Sequence, residues 1–147
     1  MTWITENDYF GPWWGHEDIT EDVRKNSDAL LSAVNDLMNV AFEAGVDFTI
    51  NPSTKSHISG QTLGGFRPKN ATQGAPLSGH KRGMSVDVFD GKVGEGQKFA
   101  RWCHNNQDKL KARGLHMEHY SATVGKNTCW CHLSILPPDS GKIVYFP

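Results

Sequence analysis

The stretch Ser78-Gly79-His80-Lys81-Arg82-Gly83-Met84-Ser85-Val86-Asp87 decides how this chain is read. It sets a histidine in a turn and an aspartate seven residues later. From 84 to 89 the pattern alternates, with Val86 and Val88 on one face and Ser85 and Asp87 on the other, which predicts a half-buried strand. Gly83 permits a tight turn that brings His80 and Asp87 together. Imidazole nitrogen and carboxylate oxygen are both good zinc ligands, and a catalytic zinc takes three protein ligands and keeps one position open. The third candidate lies in Trp130-Cys131-His132-Leu133-Ser134, where strand parity groups His132 with Trp130 and Ser134, opposite Cys131 and Leu133. Taken singly these residues have commoner explanations, a hydrogen-bonded histidine or a loop-capping carboxylate. Their combination makes His80, Asp87 and His132 the candidate metal ligands.

Working outward, residues 27–44 are helical in pattern. Leu30, Val34, Leu37 and Ala41 share one face, Ser27 is the expected N-cap, and Gly45 is the expected residue just past the end. A short strand is expected over 46–50. Residues 51–83 form a long irregular segment rich in Gly, Pro, Ser, Thr and Asn, and loops of that length inside a domain are usually functional. A second helix is expected over 95–113, ended by Gly114, with Phe99, Trp102, Cys103 and Leu110 as its apolar side. Two further strands are expected over 115–118 and 129–135, the second broken by Pro137-Pro138. This order predicts an α+β domain with a small, mainly antiparallel sheet flanked by helices. Residues 1–17 hold Trp3, Tyr9, Phe10, Trp13 and Trp14 and are expected to pack on the core as an aromatic-rich N-terminal segment.

Composition bounds the rest. The 147 residues suit a single domain spanning 1–147. Fifteen Lys and Arg against sixteen Asp and Glu leave a net charge of −1, so no field of one sign would draw in nucleic acid or an anionic membrane. No apolar run approaches the ~18 residues of a membrane span. Residues 1–8 show no basic stretch followed by an apolar one, so no secretory signal is read. Three cysteines, Cys103, Cys129 and Cys131, do not suggest a disulfide framework and are read as reduced, mostly buried thiols. A closed metal site built from them and a histidine has poor spacing.

The pattern S-x-H-x-x-G-x-x-x-D followed by W-x-H resembles the zinc peptidases that cleave peptidoglycan stem peptides. That family includes D-Ala-D-Ala carboxypeptidases, D-Ala-D-Ala dipeptidases and phage L-alanyl-D-glutamate endopeptidases, and its fold is shared by the Hedgehog signalling domain. The resemblance covers about residues 27–147, and the tail from Pro137 to Pro147 is similar to the ending of phage-encoded members. It implies one zinc ion held by His80, Asp87 and His132. It implies that Arg67, in Gly65-Phe66-Arg67, holds a substrate carboxylate or carbonyl, a task that suits a guanidinium fork. Ser78 would fix the His80 loop or touch substrate, and Trp130 and His119 would contact substrate.

One departure bears on mechanism. Many members carry the catalytic glutamate three residues before the last zinc histidine, and here that position is Cys129. The nearest upstream carboxylate is Glu118, in His116-Met117-Glu118-His119; some branches of the family carry a glutamate further upstream, at the end of a neighbouring strand, so the resemblance implies Glu118 as general base and acid. His116 and His119 flank it and could stabilise an oxyanion. The resemblance implies a phage lysis or wall-penetrating enzyme, a monomer made in the host cytoplasm and acting at the bacterial cell wall. Its expected reaction is hydrolysis of a stem-peptide bond, with the L-Ala-D-Glu endopeptidase type favoured and carboxypeptidase or dipeptidase activity as variants. The alternative is a zinc-bearing, non-catalytic module that binds peptide or wall.

Overall fold

The 3.6-residue apolar repeat produces the longest element, helix α2 (Glu21–Glu43). In the computed structural model, which describes residues 1–60, 64–72 and 78–147, its Leu30, Val34, Leu37, Met38 and Ala41 are fully buried. The helix starts earlier than the periodicity suggests. Thr20 is the N-cap, its side chain accepting from Val23 N, and Glu21 and Asp22 favour the positive end of the first turn. Ser27 lies inside the helix, where its Oγ donates to the Arg24 carbonyl at 2.9 Å, so its hydroxyl has a local partner other than a cap. Gly45 ends the helix as expected, at a φ of 99° that favours glycine.

Preceding it, the N-terminal segment forms a short helix, α1 (Glu6–Phe10), that starts with a capping box at Thr5. Ile4, Tyr9 and Phe10 are buried. Asn35 on α2 accepts from the backbone N–H groups of Trp3 and Ile4 and donates to the Ile4 carbonyl, while the Trp3 indole donates to Asn39. Trp3 and Trp13 pack against the core from the same segment, while Trp14 is exposed.

The sheet has four strands in the order β1-β3-β2-β4: β1 (Ser85–Lys92), β2 (His116–Glu118), β3 (Thr128–Ser134) and β4 (Val144–Tyr145). The β1–β3 and β2–β3 pairings are antiparallel and β2–β4 is parallel, so the sheet is mixed and the class is α+β. Alternation along the strands gives each face one character. Val86, Val88, Met117, Cys131 and Leu133 join α2 in the core, together with Phe99, Ala100 and Cys103 of helix α3 (Lys98–His104). Ser85, Asp87, His132, Ser134 and Glu118 belong to the other face.

Three further local expectations give way. Residues 46–50 form no strand; Phe48 instead packs its ring on Trp3, His57 and Phe99. The helix expected over 95–113 divides into α3 and α4 (Gln107–Lys111) at Asn105-Asn106, where the Asn106 side chain donates to the Trp102 carbonyl and competes with continued helix. β1 is buried rather than half-buried along Ser85–Phe89, because residues 56–60 and Gly64 lie along its outer edge. Asp87 N donates to Gly64 O, Ser59 N to Asp87 O and Phe89 N to His57 O, which leaves no open edge there. Within the long irregular segment, residues 61–63 and 73–77 lie outside those described; the 51–60 stretch is organised by Asn51, whose amide donates to the carbonyls of Ile58 and Gly60.

Phe10 is fully buried between Tyr9, Trp14 and Phe66. Phe10→Ala is expected to lower unfolding free energy by about 3–5 kcal/mol. Urea titration followed by tryptophan fluorescence checks this; a loss below about 1 kcal/mol would take the N-terminal segment out of the core.

Candidate metal centre

His80 sits in a 3-10 turn (Gly79–Arg82) whose N-cap is Ser78, with Ser78 Oγ accepting from Lys81 N at 3.4 Å. Gly83 closes the turn in the left-handed region at φ 71° and returns the chain to β1. Gly79 rests on the sheet where any Cβ would collide with the Ser85 side chain, so the turn can approach β1 only with glycine there. Asp87 and His132 are direct partners in the β1–β3 register. Continuing the β2–β3 register from Met117↔Leu133 by one residue sets Glu118 across from His132, and Glu118 is the register partner of Tyr145. Asp87, His132, Glu118 and Tyr145 therefore form one row across all four strands, on the face away from the core.

At the head of this row the three expected ligands converge. His132 Nδ1 lies 2.7 Å from Asp87 Oδ1, and His80 Nε2 lies 3.3 Å from Asp87 Oδ2. One donor atom from each of the three lies within 4.8 Å of the others, and His80, Asp87 and His132 are all buried. Arg67 approaches from the side, its guanidinium 3.5 Å from Asp87 Oδ2, and its backbone N–H donates to the His80 carbonyl.

The donor set fits a cation. His80 Nδ1 lies 2.8 Å from the Gly65 carbonyl, an acceptor that takes that ring's proton. A neutral His80 therefore presents the bare lone pair of Nε2 to a carboxylate oxygen. Lone pair facing lone pair in a buried site calls for positive charge between them, a proton or a metal ion. The Gly65 carbonyl is also the kind of outer partner that orients a metal-binding imidazole. This triad could hold a metal ion, and it is the one His/Cys/Asp/Glu group found with that geometry among the described residues. Cys103, Cys129 and Cys131 are free and buried, and among the described residues they form no such group.

The titration behaviour follows from this packing. Burial alone would raise the Asp87 carboxyl, but the two imidazoles outweigh it and hold the group well below the usual carboxylate range. Burial opposes protonation of His132; the Asp87 hydrogen bond and charge, with Glu118, outweigh it and raise its pKa. Glu118 is raised, first by burial and then by the Asp87 charge, against the lowering effect of His132, His80 and Arg67.

The triad opens into a cleft of about 370 Å³ that Arg67, Ser78, Glu118, Trp130, Pro137, Pro138 and Tyr145 also line. Of the expected site residues, His80, Asp87, His132, Glu118, Arg67, Ser78 and Trp130 come together. His119 does not join them: its ring stacks on Phe146 at 4.7 Å, and its Nδ1 caps the following turn by accepting from Ser121 N. Strand parity with Glu118 already points its side chain away. His116 lies outside the cleft lining as well, its Nδ1 2.8 Å from the Lys142 carbonyl. Ser134, which parity set on the face of His132, joins the cleft, and so does Tyr145, which had not stood out in the sequence. Beyond Arg67 and Trp130 lies a second concavity of about 190 Å³, bounded by Ser59, Gly60, Gly64 and Thr128. Compared with known proteins, the chain matches no family model, no curated protein and no solved structure.

His80→Ala and His132→Ala are each expected to abolish stoichiometric zinc binding, whereas Cys129→Ser retains it; elemental analysis of the purified proteins decides. A pH dependence also follows. His132, raised in the fold, stabilises the metal-free protein fully below the ordinary imidazole value of ~6.5 and loses that contribution as pH rises through its folded value. Asp87, lowered in the fold, contributes above the ordinary ~3.9 and loses it as pH falls through its folded value. Ligation needs the imidazoles unprotonated, so the thermal stabilisation by added zinc should be larger at about pH 8 than at about pH 5.5. Equal shifts in melting temperature at the two values would contradict the ligand set.

Proposed function

We propose that the chain is a zinc-dependent peptidase acting on peptidoglycan stem peptides, with the L-Ala-D-Glu bond as its favoured target. The observation that carries this reading is the position of Glu118. The chain lacks a glutamate three residues before His132, yet the sheet register sets Glu118 beside that histidine, on the face that carries the ligands. Two imidazoles and one carboxylate match a zinc site with three protein ligands, and the resemblance of the S-x-H-x-x-G-x-x-x-D and W-x-H patterns supports the same reading.

A bound zinc ion would activate water and polarise a carbonyl. Glu118 takes the proton from the attacking water as the new C–O bond forms, and its raised pKa brings it nearer to neutrality, where a base and acid work best. The same carboxyl then gives that proton to the leaving nitrogen as the C–N bond breaks. Arg67 presents its guanidinium at the cleft wall to a substrate carboxylate or carbonyl. Trp130 borders both concavities. Space on both sides of Arg67 and Trp130 supports a substrate that continues past the scissile bond in each direction, as an endopeptidase requires.

The test is digestion of purified peptidoglycan with the zinc-loaded protein, with and without a chelator, and mass spectrometry of the released fragments. Chelator-sensitive release is expected, with new termini at L-Ala and D-Glu; termini at D-Ala-D-Ala would move the specificity to the carboxypeptidase type. No release across several wall types would leave a zinc-bearing module that binds wall without cutting it. Glu118→Ala is expected to keep the metal and to lose activity by about 10²–10⁴-fold. Activity near wild type in that variant would remove Glu118 as the base.

A further inference from the structure

We infer that Tyr145 is a second catalytic donor of this site, its phenol holding the carbonyl oxygen of the scissile bond as that oxygen gains charge; the inference rests on the peptidase reading of the cleft. β4 pairs in parallel with β2, and Tyr145 is the register partner of Glu118. Neighbouring strands lie about 4.8 Å apart, so Tyr145 stands one strand from the base and two from His132 in the same row. Its side chain lines the cleft with the triad.

The hydroxyl is available. Among the described residues it makes no hydrogen bond, unlike the buried Tyr9, whose hydroxyl donates to Ser85 O at 2.9 Å. Tyr120 stacks against His104 and lies beneath the Arg101 guanidinium, away from the cleft lining. Tyr145 is thus the cleft's phenol. Burial, then the charges of Glu118 and Asp87, push its pKa up to about 12, so it keeps its proton at neutral pH and can act as a donor. A positioned donor of this kind acts without transferring its proton. The water oxygen bonds to carbon, the C–N bond breaks, one proton passes through Glu118 to nitrogen, and the phenol hydrogen bond shortens and then relaxes.

The site also benefits from a donor at this end. Arg67, at the opposite end of the row, already directs one guanidinium nitrogen at Asp87. An oxygen between the two ends would meet Tyr145 without disturbing that pair.

The test compares the zinc-loaded wild type with Tyr145→Phe on a soluble stem peptide that retains the L-Ala-D-Glu bond. The variant should keep its zinc content and melting temperature and its KM within about threefold, while kcat falls by about 10–100-fold, the low end for a lost oxyanion donor. A second protein carries 3,5-difluorotyrosine at 145, which keeps the shape and the hydroxyl but makes the phenol more acidic. Its kcat should fall on the alkaline side at a lower pH than wild type. Wild-type kcat in Tyr145→Phe, or an unmoved alkaline limb in the fluorinated protein, overturns the role of Tyr145 while leaving the peptidase standing. A wild type that releases no fragment overturns the peptidase reading and this inference with it.

Discussion

A buried carboxylate governs this molecule. Asp87 is buried on a strand whose outer edge is covered, at the floor of a cleft, where an unpaired negative charge would be costly. Its two oxygens divide the available partners. Oδ1 meets His132, and Oδ2 meets His80 and Arg67. Three cationic or potentially cationic groups around one carboxylate make a site that must contain positive charge in some form. Asp87 raises the pKa of His132, so a proton there supplies part of that charge in the metal-free protein, and a bound metal ion would supply it in the proton's place.

Much of the remaining architecture serves that point. The Gly65 carbonyl aims His80, and Gly65 is itself pressed against the Tyr9 backbone so closely that a Cβ would collide there. Phe66 N donates to the Tyr9 carbonyl at 3.0 Å. The aromatic N-terminal segment thus supports the loop that orients His80, so its packing is continuous with the candidate site rather than a separate feature. Asn51 has a comparable role in the preceding loop, gathering the 51–60 stretch that runs beside β1.

Strand parity divides the labour of the sheet. One face is apolar and joins α2 and α3 in the core; the other carries the row Asp87, His132, Glu118 and Tyr145. Because neighbours in the row come from different strands, the row is assembled from four separate segments and held by backbone pairing. A site built on strands is held more rigidly than one built on loops alone. Here only His80 and Arg67 come from irregular chain, and each is tied to it by backbone hydrogen bonds.

How much of this was legible beforehand follows the range of the interactions. The α2 core face, the alternation of β1 and the parity of His132 are local patterns of period 3.6 and 2, and residue types alone determine them. The three candidate ligands were readable because imidazole and carboxylate are cation-binding groups and their places in a turn and on two strands follow from local pattern. Other features needed the fold. Ser27 was open to reading as a cap because its hydroxyl's true partner, Arg24 O, is a competing local acceptor. The 46–50 stretch resembles a strand until Phe48 finds an aromatic cluster to join. Tyr145 lies in a two-residue strand, too short to show any period, and only parallel pairing with β2 brings it to the cleft. Sequence by itself determined which groups could bind a cation and which faces they would share. The tertiary structure decided which strands are neighbours and in what register, and so that Glu118 and Tyr145 join the site while His119 turns away, because pairing depends on contacts between segments that no local pattern records.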